Sequence, residues 1–183
     1  MPTVDSVKSE IDDAIDDAVK HLMTLGHKKA AFIGEPLTLM KQERFLNAAA
    51  MQGLKVEAGD VIVAESRFEN AGYLGAKKLI EKGSDCTAIV CAYDHIAIGA
   101  MRYLEQEGYK IPDDFSIIGM DNIDTSKYLA QSLTTVDSHL EEICTVVADL
   151  MAKKVRNRWV TARQEIKISA DLIIRESTGK AKI

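Results

Sequence analysis

Tyr93-Asp94 and Asp121-Asn122 each stand directly behind a run of apolar residues, where a buried strand would end. A carboxylate so placed, Asp121, can accept from the hydroxyls of a sugar, or it can serve as an Asx-type turn or helix cap. Tyr93 can stack on a sugar ring and donate one hydrogen bond. Asp94 can touch a ligand or cap the helix that follows it. No catalytic grouping accompanies these residues. His21, His27, His95 and His139 fit no HxxxH or HExxH spacing, and the chain has no nucleophile elbow, P-loop or GxGxxG. His27, just past a helix end, is expected to meet the last carbonyls of that helix. Cys86, Cys91 and Cys144 form no CxxC and read as buried thiols of a reducing compartment. The expectation is a non-catalytic domain with no cofactor and no metal.

The elements that position these side chains alternate between helix and strand. Ile11, Ala14, Ile15, Ala18, Val19, Leu22 and Met23 recur at helical spacing, with Asp12, Asp13, Asp16 and Asp17 on the other side. Ser9 and Asp12 resemble a capping box, and Gly26 a helix stop. Further helices are predicted over 40–52, 71–82 and 95–107, stopped by Gly53, Gly83 and Gly108. Between them lie the apolar runs 30–34, 61–64, 88–92 and 116–120. Such continuous runs suit parallel strands covered on both faces. A doubly wound, mostly parallel sheet with helices on both faces, a three-layer αβα fold, follows. Ligands of such sheets bind outside the carboxyl ends of the strands, so Glu35, Glu65, Tyr93-Asp94 and Asp121-Asn122 begin the segments to inspect. Later come strand-like 133–136, a helix over 140–155 with Ile143, Val147, Leu150 and Met151 on one face, and strand-like 165–174. Lys153, Lys154, Arg156, Arg158 and Arg163 read as a solvated helix end and loop.

The 183 residues suit one domain or slightly more, and 46% hydrophobic with 28% charged residues is an ordinary globular balance. With 23 Lys+Arg against 28 Asp+Glu the net charge is −5, which argues against a freestanding nucleic-acid binder. No leader-like or membrane-spanning stretch is read, so a cytoplasmic protein without membrane association is expected.

Several strings, in order, carry a resemblance. His21 to Lys29 precedes the strand 30–34; Tyr93-Asp94-His95-Ile96-Ala97-Ile98-Gly99-Ala100 follows a strand. Ile111-Pro112-Asp113-Asp114-Phe115 leads into Ser116 to Asn122, then come Leu133-Thr134-Thr135-Val136 and Leu172 to Thr178. Together they resemble the effector-binding core of the LacI/GalR family of bacterial transcription regulators, from about Val4 to Thr178. The resemblance implies a periplasmic-binding-protein-like fold, type I, and mainly its C-terminal lobe. Residues 4–136 would form that lobe, 137–160 would belong to the N-terminal lobe, and 161–178 would return as a strand. The helix-turn-helix domain has no counterpart, so operator DNA is a partner only through a missing N-terminal domain.

The resemblance also implies site residues. Arg44 matches the family arginine that reaches the ligand; a solvated helix-start arginine is the alternative. Phe68 falls where the family places an aromatic against the ligand, or it shields the sheet edge. Tyr93 replaces the asparagine usual before the aspartate. The implied function is a repressor's sensing module that binds a sugar or related metabolite between two lobes. A transport system's sugar-binding component and a small flavodoxin-like domain are the alternatives. The resemblance further implies a homodimer, and an uncovered apolar face on the 140–155 helix.

Overall fold

The computed structural model describes residues 4–157 and 162–182; Arg158 and the end of the 137–160 segment lie outside them. In chain order the elements are β1 (Ser6–Glu10), α1 (Asp12–Thr24), β2 (Ala30–Gly34), α2 (Leu39–Gln52), β3 (Val61–Val63), α3 (Phe68–Glu81), β4 (Ala88–Cys91), α4 (Asp94–Gln106), β5 (Ser116–Met120), β6 (Thr134–Asp137), α5 (Leu140–Arg156), β7 (Glu165–Ser169) and β8 (Asp171–Ile173). Six strands form one sheet in the order β3-β2-β4-β5-β6-β8, parallel throughout except for the antiparallel edge strand β8. β2, β4 and β5 are buried along their whole length, which is why they are apolar at every position but Ser116.

The helices pack in pairs, α1 with α2 and α3 with α4, and cover both faces of the sheet. Phe32 of β2 stacks on Phe45 of α2 with ring centroids 5.6 Å apart, both wholly buried. Each ring of that kind stabilises the fold by roughly 1.5–3 kcal/mol through burial. The α3 and α4 backbones meet at Gly72 and Gly99. A Cβ on Gly72 would strike the Ile96 carbonyl, and one on Gly99 the Glu69 carbonyl, so the close approach requires glycine at both positions. The four glycines read as helix stops all take positive φ, the left-handed turn that ends a helix.

The chain ends depart from the sequence reading. β1, a polar segment not read as a strand, pairs in parallel with β7 in a separate two-stranded sheet, on which α5 packs through β1. The strand expected over 165–174 is therefore two strands broken at Ala170, and the return to the large sheet begins at Asp171. The chain crosses between the small layer and the large sheet at Ile11, at Ser138-His139 and at Ala170. These crossings are tied: the Ala170 N–H donates to the Glu10 carbonyl at 3.0 Å, and His139 Nε2 lies 2.9 Å from Asp171.

Three local expectations are corrected. Ser9 lies inside β1 and α1 begins without a side-chain cap, so the capping box does not form. The His27 side chain is buried against Thr87, Ser116 and the Gly179 carbonyl; only its backbone N–H meets a helix carbonyl, that of Leu22. Burial holds the His27 imidazole below its ordinary pKa. Cys86 and Cys91 are buried, but Cys144 is exposed on α5. On the same helix Ile143, Val147 and Leu150 are half-buried, and only Met151 of the expected face is exposed. Among the described residues no helix is long and apolar enough to cross a membrane.

Candidate functional site

The strand order reverses at β2, with β3 on one side of it and β4 on the other. Loops leaving the carboxyl ends of β2 and β4 part at such a point and open a crevice. The residues behind β3, β4 and β5 supply Arg67 and Phe68, then Tyr93, then Asp121 and Asn122 to a hollow of about 1020 Å³. Its far wall includes Asp137, His139 and the first turn of α5. Phe68, Asp121, Asn122 and His139 have φ of 55°, 97°, 48° and 51°, and they are the non-glycine residues with positive φ among those described. All four line this one hollow. Each such conformation costs about 1–3 kcal/mol, so their gathering here marks the place where the fold holds strained backbone.

The side chains divide into an aromatic end and a charged end. The Phe68 N–H donates to the Tyr93 hydroxyl at 3.0 Å, and the rings sit edge to face, 6.1 Å between centroids. Burial, with the Glu35 carboxylate nearby, raises the Tyr93 phenol above its ordinary pKa. Behind this pair, Arg67 Nε donates to both oxygens of the buried Glu35 at 3.1 Å. At the other end Lys41 Nζ donates to Asp121 Oδ1 and to the Ala92 carbonyl, both at 2.9 Å. Asn122 Nδ2 donates to Asp137, and its oxygen accepts from Arg175 at 2.6 Å, which holds the Asp121-Asn122 turn in place.

The structure thus brings Phe68, Tyr93 and Asp121 together, and it leaves Asp94 and Arg44 out. Asp94 is wholly buried, and both its oxygens are taken, one by the Thr135 hydroxyl and one by the Ile123 N–H. It neither faces the hollow nor caps α4, where no side-chain cap bond occurs. Arg44 pairs with Asp12 of α1 and lines a separate shallow hollow with Asp16, Asn47 and Met51. The reason is helical phase. Phe45, Ala48 and Ala49 set the inward face of α2. Lys41 stands one turn before Phe45 on that face, while Arg44 is turned to the flank against α1. Arg67 lines the hollow without being expected from the sequence, and Lys41 and Glu35 support the wall by pairing with Asp121 and Arg67. The placement of Phe45 was the signal for Lys41, and Glu35 opened one of the post-strand segments marked for inspection.

This architecture, a doubly wound lobe with an open crevice at the strand ends and three crossings to a small second layer, is that of a periplasmic-binding-protein-like lobe. The chain belongs to the periplasmic binding protein-like domain family, whose pattern matches residues 19–178, and the LacI-type effector core expected from the sequence is the branch it joins. It is 31% identical over 166 residues to the HTH-type transcriptional repressor PurR of Mannheimia succiniciproducens, covering 89% of this chain and 49% of that protein. It is 31% identical over 168 residues to the ribose operon repressor of Haemophilus influenzae, covering 90% and 50%. The chain spans about half the length of the curated relatives it matches. A LacI family transcriptional regulator from Enterococcus faecium, solved with bound ribose, superposes with a TM-score of 0.86 at 27% identity, over 97% of this chain and 66% of that one.

Proposed function

We propose that this chain is the sensing lobe of a LacI-type transcription regulator and takes a sugar, or a related small metabolite, at the hollow lined by Phe68, Tyr93, Asp121 and Asn122. The observation that carries the reading is the gathering of four left-handed residues around one crevice that combines ring faces with paired donors and acceptors. Sugars need this combination: their C–H faces stack on rings while their hydroxyls both donate and accept. Ribose is the first probe, because a regulator similar to this chain was solved with it.

In this reading the site binds and does no covalent chemistry, and operator DNA is read by a domain outside the chain. A first lobe closes over the hollow, and the three crossings transmit closure as a change in lobe orientation. The protein works in the cytoplasm as a homodimer. A transport component would share the fold, but the relatives named above are repressors. Calorimetry with ribose, on this chain and on the chain joined to a complete first lobe, tests the proposal. Asp121→Ala is expected to weaken binding at least about tenfold, the effect of losing a charged hydrogen bond. Undiminished ribose binding by that variant contradicts it.

A further inference from the structure

The Arg67–Glu35 pair at the aromatic end of the hollow supports a sharper statement, one that rests on the sugar-binding reading. Glu35 follows β2, and its side chain is 1% exposed. A carboxylate so far out of water needs a close partner, and Arg67 Nε, 3.1 Å from both oxygens, is that partner. Arg67 reaches it from behind β3, with its guanidinium carbon 4.8 Å from the centre of the Phe68 ring. The carboxylate and the ring fix the guanidinium plane, yet the side chain remains 55% exposed at the wall of the hollow. With Nε committed to Glu35, the terminal nitrogens are the part of the fork left to meet a ligand.

An arginine on a cleft wall ordinarily marks a site for phosphate or carboxylate. Here the charge is matched by a buried carboxylate. Two neighbouring cations are matched as well, Lys41 by Asp121 at 2.9 Å and Lys127 by Asp124 at 3.1 Å, while Arg175 is held by neutral acceptors, among them Asn122. Glu141 and Glu142 add two carboxylates to the rim, without an ion pair among the described residues. The wall offers N–H donors, acceptors and ring faces, and no net positive charge.

We infer that Arg67 is the specificity-determining donor of this site and that Glu35, by neutralising and fixing it, selects an uncharged polyhydroxyl ring over the phosphate ester of the same ring. Glu35 is a positioning residue and acts through Arg67.

The test uses the 183-residue chain, nitrogen-labelled and titrated separately with ribose and ribose 5-phosphate while amide resonances are followed. For the unaltered chain, ribose shifts Phe68, Tyr93 and Asp121, and the ester binds at least about tenfold more weakly. Glu35→Gln keeps the shape and removes the compensating charge, so the ester should gain about tenfold relative to ribose. Glu35→Leu combined with Arg67→Met replaces the pair by apolar groups that a fold commonly tolerates, and there ribose affinity falls about tenfold. This double variant decides the matter if Glu35→Gln does not fold. The inference is overturned if the unaltered chain binds the ester as tightly as ribose. It is equally overturned if the preference is unmoved in Glu35→Gln, or ribose affinity unmoved in the double variant. In those cases the ribose shifts persist and the sugar reading stands; if ribose shifts none of the three residues, the sugar reading itself fails and this inference with it.

Discussion

Asp94 Oδ1 accepts a hydrogen bond from the Thr135 hydroxyl at 2.6 Å, a contact that ties the start of α4 to β6. The other carboxylate oxygen takes the Ile123 N–H at 2.9 Å. Burial nonetheless pushes the Asp94 carboxyl up to about 6, against the downward pull of those two bonds. Because the folded value lies above the ordinary 3.8, folding favours the protonated form. That contribution is complete below about 3.8 and is lost as pH rises through about 6. Urea unfolding of the wild type and Asp94→Asn should therefore diverge with pH. Between about pH 4 and about pH 7 the variant should gain up to about 3 kcal/mol relative to wild type. A constant difference across that range would show that Asp94 is not held this way.

Thiol reactivity follows from the same reasoning. Burial pushes the Cys86 thiol up to about 11 and the Cys91 thiol higher still, whereas Cys144 is exposed on α5. The thiolate is the reactive form, so a disulfide-exchange reagent should label one thiol in the folded chain. The other two should react only after denaturation. Mass spectrometry of the labelled peptide is expected to find the label on Cys144; a label on Cys86 or Cys91 under native conditions contradicts the burial of those two thiols.

Much of the large sheet was legible because its signals are local. Ala88 to Cys91 and Ile117 to Met120 are apolar without interruption, and a strand buried on both faces has few other ways to be written. Gly53 and Gly108 stop helices by a left-handed turn that few other residues adopt cheaply. β1 was not legible, because Ser-Val-Lys-Ser-Glu is polar at four of its five positions and becomes a strand only by pairing with β7, 157 residues later in the Lys8–Glu165 contact. The wall of the hollow was half legible. Tyr93 and Asp121 are set by strand ends, which the sequence marks. Lys41 against Arg44 is a question of helical phase, decided by how Phe45 packs on Phe32. Asp94 shows the limit of reading residue types: its neighbours in space, Thr135 and Ile123, are distant in sequence.

The outer face of α5 predicts association. Met151 and Val155 are 63% and 70% exposed, and with exposed Cys144 they follow helical spacing along one side. An uncovered stripe of this kind favours contact with another surface. Sedimentation velocity is expected to show concentration-dependent association of the chain. Met151→Lys with Val155→Lys should weaken it roughly a hundredfold, taking roughly 1.5 kcal/mol for each side chain removed from an interface. A monomer at every concentration, or unchanged association of the double variant, excludes this face.

Two cations about one turn apart on α2 separate binding at the strand-end hollow from binding between α1 and α2. Lys41 reaches Asp121 in that hollow, whereas Arg44 reaches Asp12 between α1 and α2. Ribose affinity, measured by calorimetry for the wild type, Lys41→Met and Arg44→Met, separates the two places. A loss of at least about tenfold is expected for Lys41→Met, and wild-type affinity for Arg44→Met. Loss of binding in Arg44→Met with affinity retained in Lys41→Met would place the ligand between α1 and α2 and contradict it.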